Sequence, residues 1–167
     1  ERIWLREFFR DFLFDRSLGA YTLFGSKPVT LSDVYTPSEE EIEKTEEFLK
    51  SIPEDRIKTF QYDYARNYEK WKSIKNRFKI RNYLFGEFPA PFNKKDLCVF
   101  FMNIENTLRV LLDNYAHFRR VLGYDFDPLN VVFDVENKDS RFWNDVINSQ
   151  FLLGIVLGYD KSDCIFF

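Results

Sequence analysis

The sequence is poor in the residues most often found at reactive centres: one histidine, one methionine, two cysteines and six glycines in 167 residues. Cys98 and Cys164 stand far apart without CxxC spacing, so neither a zinc framework nor a redox pair is encoded. Both read as small buried apolar residues, a long-range disulfide being the lesser alternative. The glycines never reach GxGxxG or GxxxxGK spacing, and GxSxG and HExxH are absent, which removes the phosphate-cradling loop, the nucleophile elbow and the zinc-protease helix. No cofactor and no metal is therefore expected. The longest apolar run, Phe151 to Leu157, is 7 residues long, where a membrane span needs about 20, so no transmembrane segment is expected. With 24 basic against 27 acidic residues and a net charge of -3, the chain does not read as a dedicated nucleic-acid binder.

What the chain has in abundance is rings. Twenty Phe, 9 Tyr and 3 Trp make up 19% of the residues, a large apolar payload in stiff side chains. A chain of this length buries roughly two thirds of its unfolded surface, so the core needs neither disulfide nor metal. Residues 1–167 read as a single domain. The start at Glu1 without Met and the end on Cys164-Ile165-Phe166-Phe167 are both abrupt, which fits a fragment of a longer chain or a docked C-terminus.

Trp4, Leu5, Phe8, Phe9, Phe12 and Leu13 recur at helical spacing with charges between them, predicting an amphipathic helix that Gly19 ends. Ala20 to Phe24 predicts a strand before the turn Gly25-Ser26-Lys27-Pro28. Thr36-Pro37-Ser38-Glu39 is a capping box, opening a helix to about Ser51. A long helix over 53–78 follows, with Phe60, Tyr64, Tyr68 and Trp71 on one face. Lys79 to Phe85 predicts a second strand, and Leu97 to Met102 a third strand or a helix start. A helix over 103–122 stops at Gly123. Asp127-Pro128 opens a short one to about Val135, and Asp139 or Ser140 caps a last one carrying Phe142, Trp143, Val146, Ile147 and Phe151. The fold class is thus α+β, predominantly helical: about six helices with a small antiparallel sheet from the Tyr21 and Tyr83 regions and Val99.

Two internal similarities stand out. Val121-Leu122-Gly123-Tyr124-Asp125 recurs as Val156-Leu157-Gly158-Tyr159-Asp160, which the geometry of a glycine-terminated helix explains better than a repeat array. Tyr21-Thr22-Leu23-Phe24-Gly25 resembles Asn82-Tyr83-Leu84-Phe85-Gly86 and predicts two strand ends in one sheet. Further, the segments Gly19 to Pro28 and Phe151 to Tyr159, about 20 residues in all, resemble short signatures of uncharacterised proteins from chlamydia-like bacteria. That resemblance brings no activity and no site residue. It implies an exported, envelope-associated or host-interaction role.

For chemistry, the single His117 falls four residues after Asp113, so an orienting acid and a base could share a helix face in a hydrolase. No nucleophile can be assigned, and a helix-surface histidine is the plainer reading. The carboxylates Asp125, Asp127, Asp134, Glu136 and Asp139 fit an acid pair formally, but Pro128 breaks the calcium-loop pattern, and capping accounts for Asp127 and Asp139. Charge segregation is more informative. Asp33 to Asp55 is strongly acidic, whereas Lys70, Lys72, Lys75, Arg77, Lys79 and Arg81 form a basic stretch without an acid. With Trp71 it could meet RNA, anionic lipid or an acidic protein surface; alternatively it complements its own helix dipole and the acidic helix. The stripe including Tyr64, Tyr68 and Trp71 reads as core packing or as an aromatic ligand groove. The favoured reading is a non-enzymatic interaction module that binds a protein partner or itself. The alternatives are a hydrolase using His117 and Asp113, and a peripheral binder of anionic surfaces through 70–81.

Overall fold

A computed structural model describes residues 2–15, 17–35, 40, 44, 47, 62–77, 80–91 and 96–164, with backbone alone for 2 and 62–65. A three-stranded antiparallel sheet organises the chain. Its strands are β1 (Val29–Val34), β2 (Tyr83–Pro89) and β3 (Leu97–Asn103), in the order β1-β3-β2. β3 lies in the middle because its sequence, Leu-Cys-Val-Phe-Phe-Met-Asn, carries no charge and is apolar on both faces. The register pairs Phe101 with Thr30 and Phe85, and Phe100 with Leu31 and Gly86.

Because side chains alternate along a strand, that register defines two faces, each covered by helices. One bears Val29, Phe88, Phe100 and Met102 and packs on the C-terminal helices, where Leu111, Phe118, Trp143, Val146, Leu152 and Val156 are fully buried. The other bears Val34, Val99 and Phe101. It packs on Phe8 of α1 (Arg2–Arg10), Phe12 of the π-helical turn Asp11–Asp15, and Tyr68 and Trp71 of α3 (Tyr62–Ile74). Stacked and tilted ring pairs knit this second layer: Phe8 over Trp71 at 5.5 Å, Trp71 on Phe85 at 4.6 Å and Phe85 on Phe101 at 4.9 Å between centroids. Each such buried ring contributes about 1.5–3 kcal/mol through water exclusion alone.

The α+β, mainly helical expectation holds, as do the strands near Tyr83 and Val99. The Tyr21 region is different. Ala20–Phe24 is a helix, α2, and the third strand is Val29–Val34, beyond the expected turn. α2 is helical because it is held there: the buried hydroxyls of Thr22 and Thr30 are 2.8 Å apart, and the Tyr83 hydroxyl donates to the Leu23 carbonyl at 2.6 Å. The similar segment Asn82 to Gly86, which shares Leu-Phe-Gly with it, leads into β2 and gains a ladder with β3 instead, so tertiary context decides between the two.

The described residues contain nine α-helices rather than about six. The helix expected over 103–122 is two, α4 (Ile104–Asp113) and α5 (Tyr115–Leu122), because the Asn114 side chain donates to the Val110 carbonyl at 2.8 Å and the backbone there turns out of the helix. The last expected helix is likewise broken. α7 (Arg141–Ile147) and α8 (Gln150–Val156) meet at Ser149, whose hydroxyl accepts from the Leu152 N–H. Between them in sequence and α5 lies α6 (Pro128–Phe133), capped by Asp127 through the N–H groups of Leu129 and Asn130, and α9 (Lys161–Cys164) closes the described chain. Gly123 and Gly158 take positive φ, +76° and +90°, as helix-end glycines do; at the second, Tyr159 N–H bonds to Gly154 and Gly158 N–H to Ile155. Glu40, Lys44 and Glu47 are helical, and Lys44 pairs with Glu40 at 2.6 Å. The capping box at 36–39, Phe60, Phe78 and Lys79 lie outside the described residues.

Candidate functional site

The basic stretch enters the fold as the end of α3, a 3₁₀ turn (Lys75–Arg77) and a tight turn into β2, in which Tyr83 N–H bonds back to Ile80. Its cations are not equivalent. Lys70 lies over the Trp4 ring, 5.7 Å from its centroid. Lys72 and Lys75 both close on Glu87 of β2, at 2.8 and 2.6 Å. Glu87 is only 17% exposed, and burial alone would push its pKa up. Hydrogen bonds from Lys72 and Lys75, the charge of Lys75 and the Tyr68 hydroxyl outweigh burial and hold the carboxyl below its ordinary value. The same hydrogen bond raises Lys72. Arg77 and Arg81 are exposed and make no ion pair among the described residues. Among the described residues the acid that answers this stretch is Glu87 on the sheet, a partner not anticipated from sequence because it lies beyond the turn.

Tyr68 and Trp71 are core residues, 1% and 2% exposed; the Tyr64 side chain lies outside the described residues. Trp71 nevertheless lines a cleft of about 760 Å³, together with Tyr83, Phe85, Lys75, Arg81 and Glu136. Of the residues singled out from sequence, the fold brings Trp71, Lys75 and Arg81 to this one place.

His117 and Asp113 are not brought together. The break at Asn114 puts them on different helices and no hydrogen bond or ion pair joins them; the His117 ring faces Arg120, Nδ1 to Nη2 at 3.3 Å. Three of the later acids are engaged locally. Asp125 pairs with Arg119 at 2.7 Å, Asp127 caps α6, and Asp134 accepts from Asn137. A smaller, mainly apolar recess of about 290 Å³ is lined by Leu31, Asp33, Asp96, Cys98 and Ile147. Burial first, then the charge of Asp33, push its Cys98 thiol up to about 12, which disfavours the thiolate. Cys98 and Cys164 are both free and buried. Among the described residues no group of three or more His, Cys, Asp or Glu could hold a metal ion, and no helix is long and apolar enough to cross a membrane.

A second surface was not visible in the sequence. Phe14, Leu18, Tyr21 and Phe24 are all exposed, Phe24 to 79%, around α2 and the turn that precedes it. Leu18 there adopts φ +53°, a conformation uncommon outside glycine and asparagine. The only prior signal was aromatic excess.

The chain matches no protein-family model, no curated protein and no solved structure.

Proposed function

We propose that this protein is a non-enzymatic interaction or assembly module whose contact surface is the outer side of α2. The carrying observation is the exposure of Tyr21 and Phe24 on α2, a helix anchored through Thr22 and Leu23, with Phe14 and Leu18 exposed in the chain just before it. Surface rings scattered singly need no explanation; large ones grouped within eleven residues and held in place by buried hydrogen bonds mark a surface made for contact. Pre-anchoring matters because little further ordering is needed when a partner arrives. The hydrolase reading is weaker, since His117 and Asp113 are apart. The anionic-surface reading through 70–81 is weaker too, since Lys72 and Lys75 are both engaged with Glu87 and together keep only one net positive charge. The resemblance to chlamydia-like proteins adds an exported or host-facing setting to the proposal.

The test is sedimentation equilibrium from micromolar to millimolar concentration, alongside a photo-crosslinking residue placed at Phe24 in cells. Concentration-dependent association, or a discrete adduct, is expected, and the double variant Tyr21→Ser/Phe24→Ser should abolish it while leaving the circular dichroism spectrum unchanged. A chain that stays monomeric throughout and forms no adduct sinks the proposal.

A further inference from the structure

Beyond that surface, the question of where the backbone hydrogen bonds of β2 go leads to a second one. The bonds Ile104 N–H to Asn82 and Ala90 N–H to Asp96 flank the β2 ladder and fix its parity. Residues 84, 86 and 88 must turn their polar groups toward β3, and residues 83, 85, 87 and 89 must turn theirs away from it. The Tyr83 N–H is taken by Ile80, and Pro89 has none to offer. The N–H and carbonyl groups of Phe85 and Glu87, and the carbonyl of Tyr83, are left facing outward without a backbone partner among the described residues. Proteins usually blunt such an edge with proline, charge or cover. Here Pro89 blunts the far end and Glu87 with its two lysines sets charge beside the middle, while among the described residues no backbone covers the stretch.

The cleft lies along this open stretch. Tyr83, Leu84 and Phe85 all line it. Consecutive strand residues point to opposite faces, so a cavity touching all three opens at the edge of the sheet, not over one face. Its walls belong to both layers: Trp71 and Lys75 come from the N-terminal side, and Glu136 from the 3₁₀ turn Asp134–Glu136 that packs on Gly86. The charge beside it is positive on balance. Arg81 is unpaired among the described residues, Lys72 and Lys75 share one carboxylate, and Glu136 is the single acid among the described residues that line the cleft.

We infer that the outer edge of β2 from Tyr83 to Glu87 takes up an extended, acidic peptide segment of a partner protein as a fourth antiparallel or parallel strand. Main-chain bonds to Phe85 and Glu87 supply the attachment, the rings of Tyr83 and Phe85 receive alternate side chains, and Arg81 with Lys75 selects carboxylates. This surface is separate from the α2 face, so one can fail without the other.

The probe is a fluorescein-labelled peptide of three Glu-Val repeats, capped at both ends. It is compared by anisotropy with a Lys-Val counterpart, with a Glu-Val peptide N-methylated at alternate residues, and with glutarate as a small competing dianion. Binding of the Glu-Val peptide is expected, weakened about tenfold by Arg81→Glu or by the change to Lys-Val and unaffected by Phe24→Ser. Hydrogen exchange at the Phe85 and Glu87 amides should slow on binding. Equal affinity for both charge types, equal affinity for the N-methylated peptide, full competition by glutarate, or no binding at millimolar peptide would each overturn the inference. The third of these would make the cleft a small-anion site. Since Arg81 is an exposed turn residue, its variant tests recognition without threatening the fold.

Discussion

Lys75, just after α3, and Glu87, within β2, meet across the turn between those elements, with Nζ 2.6 Å from Oε1, while Lys72 holds the other carboxylate oxygen at 2.8 Å. Glu87 thus locks the helix end to the edge strand, and the lock has a pH signature. A carboxyl held below its ordinary value contributes stability that is present above that ordinary value and is lost as pH falls through the native one. The raised Lys72 acts at the other limit, its contribution being lost only as pH rises past the ordinary lysine value. Glu87→Gln should therefore lower stability at neutral pH by about 1 kcal/mol, a small figure because the lysines are partly solvated. It should also flatten the fall in urea midpoint on acidification below the carboxylate range. An acid limb as steep in the variant as in the parent would refute this.

Thr22 and Thr30 form a hydroxyl pair with no exposure at all. Removing one hydroxyl strands the other in an apolar site, so Thr22→Val or Thr30→Val alone should cost about 1–3 kcal/mol, whereas the double substitution should recover most of that loss. A double-mutant cycle in chemical denaturant measures the coupling directly; additive costs would mean that the pair does not anchor α2.

Gly86 sits where β2 meets the 3₁₀ turn at Val135. A Cβ there would lie 2.6 Å from the Val135 carbonyl oxygen and 2.7 Å from its Cγ2. Backbone cannot give way as a side-chain tip can, so Gly86→Ala should destabilise by about 1–3 kcal/mol through overpacking. Gly123→Ala, by contrast, meets nothing within 4 Å and suffers only its positive φ, a cost of about 1–2 kcal/mol. Thermal denaturation of each, with a structure of Gly86→Ala showing a displaced 134–136 turn, separates crowding from dihedral strain.

Both thiols should resist modification in the native protein. Cys98 is buried and held up to about 12, and Cys164 is buried against Gly154. At mildly alkaline pH a disulfide reagent should label the folded chain slowly and both cysteines at once in guanidinium. Rapid native labelling of Cys98 would contradict its thiol–carboxylate setting beside Asp33.

Legibility in the sequence followed where the controlling interactions are local. Asp127 before Pro128 announced a cap, and Gly123 and Gly158 announced helix ends, because those geometries depend on a few neighbouring residues. The strand Val29–Val34 was missed because its buried face carries Thr30 and Ser32, so the apolar alternation that marks a strand is absent. Ala20–Phe24 was misread for the complementary reason: its composition is that of a strand, and only the contacts to Thr30 and Tyr83 make it a helix. The cleft was half legible. Trp71, Lys75 and Arg81 stood out as a basic aromatic stretch, but Phe85 and Glu136 reach it through strand order and layer packing, which no linear spacing encodes.

The central position of β3 also has a consequence for biosynthesis. Phe8 leaves the ribosome long before Trp71, the ring it finally stacks on, and Phe12 long before Phe85 and Phe101. At about 5–20 residues per second, the first helix waits several seconds with its aromatic side bare. The nascent chain is thus a natural client for chaperones that hold apolar segments, and its yield in a foreign host should depend on them more than on the stability of the finished protein.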